Sequence, residues 1–201
     1  EVRRQRQMCI RDSLRTVNNL VKPSTGSVYL ENKNVTSAKK RELKQIRSQI
    51  GMIFQTFNLV NRSTVLKNVL TGRLSNISTF RSILGLWPKE QKQMAFEALN
   101  QVEILEKAYV RASNLSGGQQ QRVGIARALS QKPKVMLADE PVASLDPITS
   151  RVVMSYLKKI NTELGITTIV NLHFLDLAKE FGDRLIGLRD GKLVFDGNVN
   201  D

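Results

Sequence analysis

Apolar residues in this 201-residue chain recur either at helical spacing or in short continuous runs. Helical spacing predicts one buried face of a helix, whereas a short apolar run is typical of a parallel strand that is covered on both sides. Helical spacing is found at 14–21, 39–48, 89–110, 119–131, 150–164 and 175–181, and strand-like runs at 27–30, 49–54, 135–138, 167–172, 185–188 and 192–195. Because strands and helices alternate, the pattern predicts an α/β fold with a parallel sheet.

One long segment departs from this alternation. Residues 57–112 show helical spacing without a strand signal, interrupted by Trp87-Pro88. Since proline removes a helical hydrogen bond, the interruption predicts separate helices on either side of it. We therefore expect an inserted helical subdomain at 57–112, between two parts of an α/β core at 13–56 and 113–201.

The first twelve residues have a different character. They contain four arginines, the only cysteine (Cys9) and no clear amphipathic period. We expect residues 1–12 to be foreign to the fold, as in a fusion or assembly error. The alternative is a basic N-terminal arm.

Composition narrows the classes of function. The chain is 41% hydrophobic and 24% charged, which argues against disorder. A single cysteine and a single histidine, His173, exclude an internal disulfide and a multi-histidine metal site. The net charge of +13 favours anionic partners, although a solvated basic face would also explain it. No apolar run approaches the ~18 residues of a membrane span.

The strongest local motif is the octet Leu115–Arg122 (LSGGQQQR) at the start of a predicted helix. Gly117 and Gly118 allow backbone N–H groups to approach an anion closely, and a helix start favours phosphate. Ser116 supplies a hydroxyl at the N-cap position, and Gln119 follows in the first turn. An ordinary capped helix after a Ser-Gly-Gly turn is the alternative for the glycine pair alone.

A second motif combines a buried strand with two acids. Residues 135–138 run directly into Asp139-Glu140-Pro141. In open α/β sheets, ligands bind at the carboxyl ends of the strands, where Asp139 could hold Mg²⁺ and Glu140 could polarise an attacking water. The alternative is that both acids cap the next helix.

Three further signals are weak individually. His173 follows the strand-like run 167–172 and could donate to a terminal phosphate, although a lone histidine is more often structural. Gln55 follows the run 49–54 and could bind Mg²⁺ or orient water, although a surface glutamine is the simpler interpretation. The segment Ser144–Asp146 resembles a helix N-cap.

The order of these motifs resembles that of the ABC transporter ATPase family, from about Leu14 to Asp201. Gln55 matches the Q-loop, Leu115–Gln119 the LSGGQ signature, Val135–Glu140 the Walker B strand with its glutamate, Ser144–Asp146 the D-loop, and His173 the switch histidine. The resemblance implies a P-loop NTPase-like ABC ATPase core with an inserted helical subdomain.

The resemblance also implies a chemistry. ATP and Mg²⁺ are the expected cofactors, with Asp139 and Gln55 as metal ligands. Glu140 is expected to activate water, and His173 to hold the γ-phosphate. The expected nucleotide-binding residues are Ser116, Gly117, Gly118, Gln119, Gln55 and Asp146.

Partners follow from the same resemblance. Two ATPase subunits of the family dimerise head to tail, so that the signature of one completes the phosphate site of the other. The dimer is expected to bind membrane permease subunits at the cytoplasmic face of the membrane, as a peripheral translocase ATPase. A solute-binding protein is expected to be an indirect partner. No nucleic-acid partner is expected.

A narrower resemblance is to the phosphonate-import ATPases, which serve importers of phosphonate and related phosphorus oxyanions. It is carried by the segments Gly72–Pro88, Leu115–Leu129 and Val170–Leu177. Two alternatives stay open: a non-transport ABC ATPase acting on nucleic acid or the ribosome, and a non-catalytic regulatory fragment.

One family motif is absent from the 201 residues. The sequence contains no G-x-x-x-x-G-K-[ST] run, the loop that binds phosphates through its amides and lysine. In the family this loop would stand just before Ser13. We therefore expect a fragment that lacks the N-terminal strands and P-loop, binds ATP very weakly and hydrolyses it negligibly.

Overall fold

The computed structural model describes residues 2–199. Residue 1 of the segment 1–12, and residues 200 and 201 of the segment 113–201, lie outside the described residues. The helices are α1 Val2–Val17, α2 Lys40–Arg47, α3 Val65–Leu70, α4 Thr79–Ile83, α5 Lys89–Gln101, α6 Gly117–Leu129, α7 Pro147–Leu164 and α8 Leu175–Phe181. The strands are β1 Tyr29–Leu30, β2 Lys33–Asn34, β3 Ile50–Ile53, β4 Val135–Asp139, β5 Thr167–Asn171, β6 Arg184–Arg189 and β7 Lys192–Asn198.

A three-stranded parallel sheet in the order β3-β4-β5 positions the site. Ile50 pairs with Val135, and Asp139 at the end of β4 pairs with Asn171 at the end of β5. The three strands therefore finish at one edge, and the predicted α/β fold is confirmed. The pairs β1-β2 and β6-β7 form separate antiparallel hairpins, the latter turning at Asp190-Gly191 as predicted.

Two hydrophobic cores lie on opposite faces of the sheet, because side chains alternate along a strand. Met136 and Ala138 of β4 belong to the larger core, whereas Leu137 belongs to the smaller one. The smaller core joins Leu137 to Leu14 of α1 and Ile46 of α2. Full burial of a side chain of this size stabilises the fold by roughly 1.5–3 kcal/mol.

The helical block between β3 and β4 shares the larger core with α6 and α7. Val65 of α3 and Leu99 of α5 are fully buried in it, together with Val123 of α6. Pro88 is the N-cap of α5, so the predicted helix break at Trp87-Pro88 is confirmed.

Buried hydrogen bonds join this block to the end of α6. The guanidinium of Arg73 donates to Gln91 Oε1 and to the carbonyl oxygen of Ser130, both at 2.7 Å. Burial lowers the pKa of Arg73 below its usual value, because a charged group is disfavoured away from water.

Helix α1 begins earlier and ends earlier than the apolar spacing at 14–21 predicts. It is continuous from Val2 to Val17, so residues 2–12 are helical in backbone. It ends where Asn19 adopts a left-handed conformation, with φ of 56°. Arg47 of α2 donates to the carbonyl oxygens of Asn18 and Asn19 at 2.9 and 2.8 Å. These bonds fix the C-terminal end of α1 beside the sheet.

Within residues 2–199, every helix is too short or too polar to cross a lipid bilayer.

We expect Gly72→Ala to destabilise the protein by about 1–3 kcal/mol, the usual cost of overpacking. A Cβ at Gly72 would lie 2.3 Å from the carbonyl oxygen of Arg127 and 2.5 Å from Ser130 Oγ. Urea unfolding measures the change. Gly124→Ala is the control, because its Cβ would have only Phe57 O near it, at 3.9 Å. Equal stability of the two variants would contradict the predicted close packing at Gly72.

Candidate functional site

The carboxyl edge of the parallel sheet brings four predicted site residues together. Gln55 lies just after β3, Asp139 ends β4, and Glu140 follows it. His173 lies just after β5. The motifs are far apart in sequence, and they meet because parallel strands end at a common edge.

Glu140 is placed by its backbone. Its φ of 50° is left-handed, which costs a non-glycine residue roughly 1–3 kcal/mol unless the surroundings impose it. Its N–H donates to the carbonyl oxygen of Asn171 at 3.2 Å. The carboxylate is 5% exposed, and its Oε1 lies 2.9 Å from Nε2 of His173. The two predicted catalytic residues are therefore in direct contact.

Asp139 is buried more deeply, at 2% exposure. Its Oδ1 accepts a hydrogen bond from Nδ2 of Asn171 at 3.1 Å. Burying a carboxylate costs several kcal/mol unless charge and hydrogen bonds compensate it. One neutral amide does not supply that compensation.

Two arginines of α1 supply the missing positive charge. Nη2 of Arg11 donates to Gln55 Oε1 at 2.8 Å and to Glu140 Oε1 at 3.0 Å. Nε of Arg11 lies 3.2 Å from Asp139 Oδ2, and Nη2 of Arg15 donates to the same oxygen at 3.4 Å. Neither arginine was predicted from the sequence to be a site residue, and neither was Asn171. Their i, i+4 spacing on one helix face was the available signal for the arginines.

The oxygen atoms at this edge suit Mg²⁺ by type but not by arrangement. Gln55, Asp139 and Glu140 each direct an oxygen to the Arg11 guanidinium. A magnesium ion needs these oxygens at about 2.0–2.1 Å, in the space that the guanidinium fills. In the described part of the chain, no three His, Cys, Asp or Glu side chains are grouped to hold a metal. The residues in this arrangement do not fit the ion.

The signature residues form a second cluster at the start of α6. Ser116 is the exposed N-cap, and its Oγ accepts from the backbone N–H of Gln119 at 3.3 Å. The Gln119 side chain accepts from the N–H of Ser116 at 3.0 Å, which completes a capping box. A Cβ on Gly118 would lie 2.3 Å from Thr149 Cγ2 of α7, so a larger residue at this position would displace the Thr149 side chain.

Asp146 belongs to the same cluster through α7. It is the N-cap of α7, with Pro147 at the first helical position, and its Oδ1 accepts from the N–H of Thr149 at 3.0 Å. Hydrogen bonds from Thr149 hold the pKa of Asp146 below its usual value. The N-cap role suggested for the segment Ser144–Asp146 is thus confirmed, and the helix begins three residues before the predicted 150.

The sequence model of a known family matches residues 13–143, and its description is ABC transporter. The chain belongs to the ABC transporter ATPase family. A phosphonates import ATP-binding protein, PhnC of Bacillus thuringiensis subsp. konkukian, is 58% identical over 188 residues, covering 94% of this chain and 73% of the relative. PhnC 3 of Halalkalibacterium halodurans is 55% identical over the same shares.

Solved ABC structures have the same fold. The dimeric ATP-binding cassette MJ0796, bound to ADP and Pi after hydrolysis, superimposes with a TM-score of 0.78 at 36% identity, covering 93% of this chain and 79% of that one. The predicted membership of the ABC ATPase family and the resemblance to phosphonate-import ATPases are confirmed. The non-transport alternative is not favoured, because the similar relatives are import proteins.

We expect Asp146→Asn to reveal a pH-dependent contribution to stability. The pKa of Asp146 is lower in the folded than in the unfolded chain, so its charge stabilises the fold above the ordinary pKa of about 3.9. That stability is lost as the pH falls through the lower folded value. Asparagine retains the N-cap acceptor without the charge. Urea unfolding should show wild type more stable at neutral pH, with the difference vanishing in acid. A difference that is constant across this range would contradict the assignment.

Proposed function

We propose that this chain is the ATP-binding subunit of an ABC importer for phosphonate or a related phosphorus oxyanion. The observation that carries the proposal is the 58% identity to phosphonates import ATP-binding proteins over 94% of the chain. The fold and the order of the motifs agree with it.

In this proposal the chain acts first through its signature end. Ser116 is exposed and Gly117 and Gly118 are half-buried, so the first N–H groups of α6 are near the surface. A helix start with free N–H groups favours a phosphate oxygen. Ser116, Gly117, Gly118 and Gln119, with Asp146 beside them, would meet the triphosphate held by the P-loop of a second subunit in a head-to-tail dimer.

The chain's own sheet edge has the residues for hydrolysis but a restrained geometry. Glu140 would accept a proton from an attacking water, and His173, whose Nε2 contacts Glu140, would hold the terminal phosphate. Arg11 contacts the same Glu140 oxygen. Because the 201 residues also contain no G-x-x-x-x-G-K-[ST] run, we propose that the sheet edge of this chain binds and hydrolyses ATP poorly.

The remaining partners belong to the same proposal. Permease subunits would dock on the helical block, where Phe80, Leu84 and Leu86 are exposed by 71%, 54% and 58%. Exposed apolar groups of this size are typical of an interaction surface. The subunit would lie at the cytoplasmic face of the membrane, and a solute-binding protein would act on it only through the permease.

A complementation assay tests the signature role. A full-length PhnC relative whose own signature serine is changed to arginine is mixed with this chain, and ATP hydrolysis is measured. We expect hydrolysis to rise above that of the altered relative alone, since Ser116–Gly118 complete its phosphate site. The same chain carrying Ser116→Arg should give no rise, because the arginine blocks the helix start. Equal rescue by both chains, or by neither, would contradict the signature role.

Importer specificity needs a separate measurement. The chain is co-expressed with the permease of a phosphonate importer or with that of an amino-acid importer, and the complexes are purified through the permease. Co-purification with the phosphonate permease is expected, and Phe80→Asp should weaken it by placing a charge on the apolar surface. Arg151→Ser, on the exposed face of α7, is the control. Preference for the amino-acid permease would contradict the proposed solute class.

Titration calorimetry with Mg-ATP tests whether the sheet edge of this chain binds nucleotide without a partner. We expect no binding in the micromolar range, because no P-loop run is present and Arg11 neutralises the carboxylates. Micromolar affinity of the isolated chain would overturn this part of the proposal.

A further inference from the structure

The two side chains that the family resemblance assigns to a divalent cation, Gln55 and Asp139, and the expected catalytic carboxylate of Glu140 all lie against one side chain of this protein. Gln55 Oε1 and Glu140 Oε1 share Nη2 of Arg11, and Asp139 Oδ2 lies beside Nε of the same guanidinium. The guanidinium is planar and presents its N–H donors in a fixed fork. Its Nη2 donates hydrogen bonds to two of the oxygens, whereas its Nε interacts with Asp139 as an ion pair without a hydrogen bond.

Charge at the edge is already balanced. Asp139 and Glu140 contribute two negative charges, and Arg11 and Arg15 contribute two positive charges within 3.4 Å of them. A divalent ion added to this group would leave an excess of two positive charges. Repulsion between the ion and the guanidinium groups is strong where the dielectric constant is low.

Helix α1 holds Arg11 in place. Leu14, between the two arginines, is 6% exposed and packs in the smaller core with Ile50 and Leu137. The end of α1 is fixed by the bonds from Arg47. The side chain of Arg11 is 30% exposed, so most of it is covered by neighbouring residues. Because its helix is anchored on both counts, the guanidinium is held at the sheet edge.

We propose that Arg11 is a built-in counterion that takes the place of a divalent cation between Gln55, Asp139 and Glu140. The chain therefore takes up no divalent cation at this edge. The folded chain can bury the charges of Asp139 and Glu140 because Arg11 balances them. Arg15 supports the charge balance through Asp139 alone. This property of the sheet edge does not depend on which solute is transported.

Manganese, whose unpaired electrons report binding in electron paramagnetic resonance, is the probe for this inference. Mn²⁺ is titrated into the full chain and into Arg11→Ser, which removes the guanidinium and leaves a small oxygen. We expect no saturable binding by wild type and saturable binding of one ion by the variant. Glu140→Gln added to Arg11→Ser should remove that binding.

The matched control is Arg151→Ser, which breaks an exposed arginine–carboxylate pair with Glu180. It should bind Mn²⁺ no better than wild type. Saturable binding by wild type that Glu140→Gln removes would overturn the inference, as would an Arg11→Ser variant that folds and binds nothing. Ser116→Arg should not affect Mn²⁺, so failure of the signature role and failure of this inference are distinguishable.

A stability measurement covers the case in which Arg11→Ser does not fold. The melting temperatures of Arg11→Met, Glu140→Gln and the double variant form a cycle with wild type. We expect each single change to lower the melting temperature and the double change to lower it by less than the sum, because a single change leaves a buried charge without its partner. Additive losses would overturn the inference.

Discussion

The pairing of the Arg11 guanidinium with two buried carboxylates is the interaction on which the sheet edge depends. Asp139 and Glu140 are 2% and 5% exposed, and an uncompensated charge at such depth costs several kcal/mol. The ion pairs also attach α1 to the carboxyl end of β4. Arg11 and Glu140, which make one of these pairs, are 129 residues apart in sequence. The same contact thus stabilises the edge and determines which cations it can accept.

The two groups of residues that we propose to act on phosphate consequently differ in how free their polar groups are. At the start of α6, the capping box leaves Ser116 exposed and the glycines half-buried, which is compatible with the proposed contact with a partner's phosphate. At the sheet edge, Glu140 is in contact with His173 and Arg11. In the dimer that we propose, the chain would therefore act through the start of α6 and less through Asp139 and Glu140.

Elements with strong apolar spacing were predictable, because their apolar side chains pack against the core even where they are only partly buried, as Leu177 and Phe181 of α8 do. Helix α8 was predicted to the residue, and β4 and β5 within one residue at their ends. The meeting of Gln55, Asp139, Glu140 and His173 also followed from the parallel sheet. The contacts of Arg11 were not predictable, since they depend on tertiary packing that carries a basic helix to a distant edge. The basic composition of residues 2–12 likewise concealed the start of α1.

The occupant of the carboxylate edge is the central question. The most direct measurement is a crystal structure of the wild-type chain grown with MnCl₂, with anomalous differences recorded at the manganese edge. We predict density for the Arg11 guanidinium between Gln55, Asp139 and Glu140, and no anomalous peak beside them. A peak bound to Asp139 and Glu140, with Arg11 displaced, would contradict the replacement of the cation by arginine.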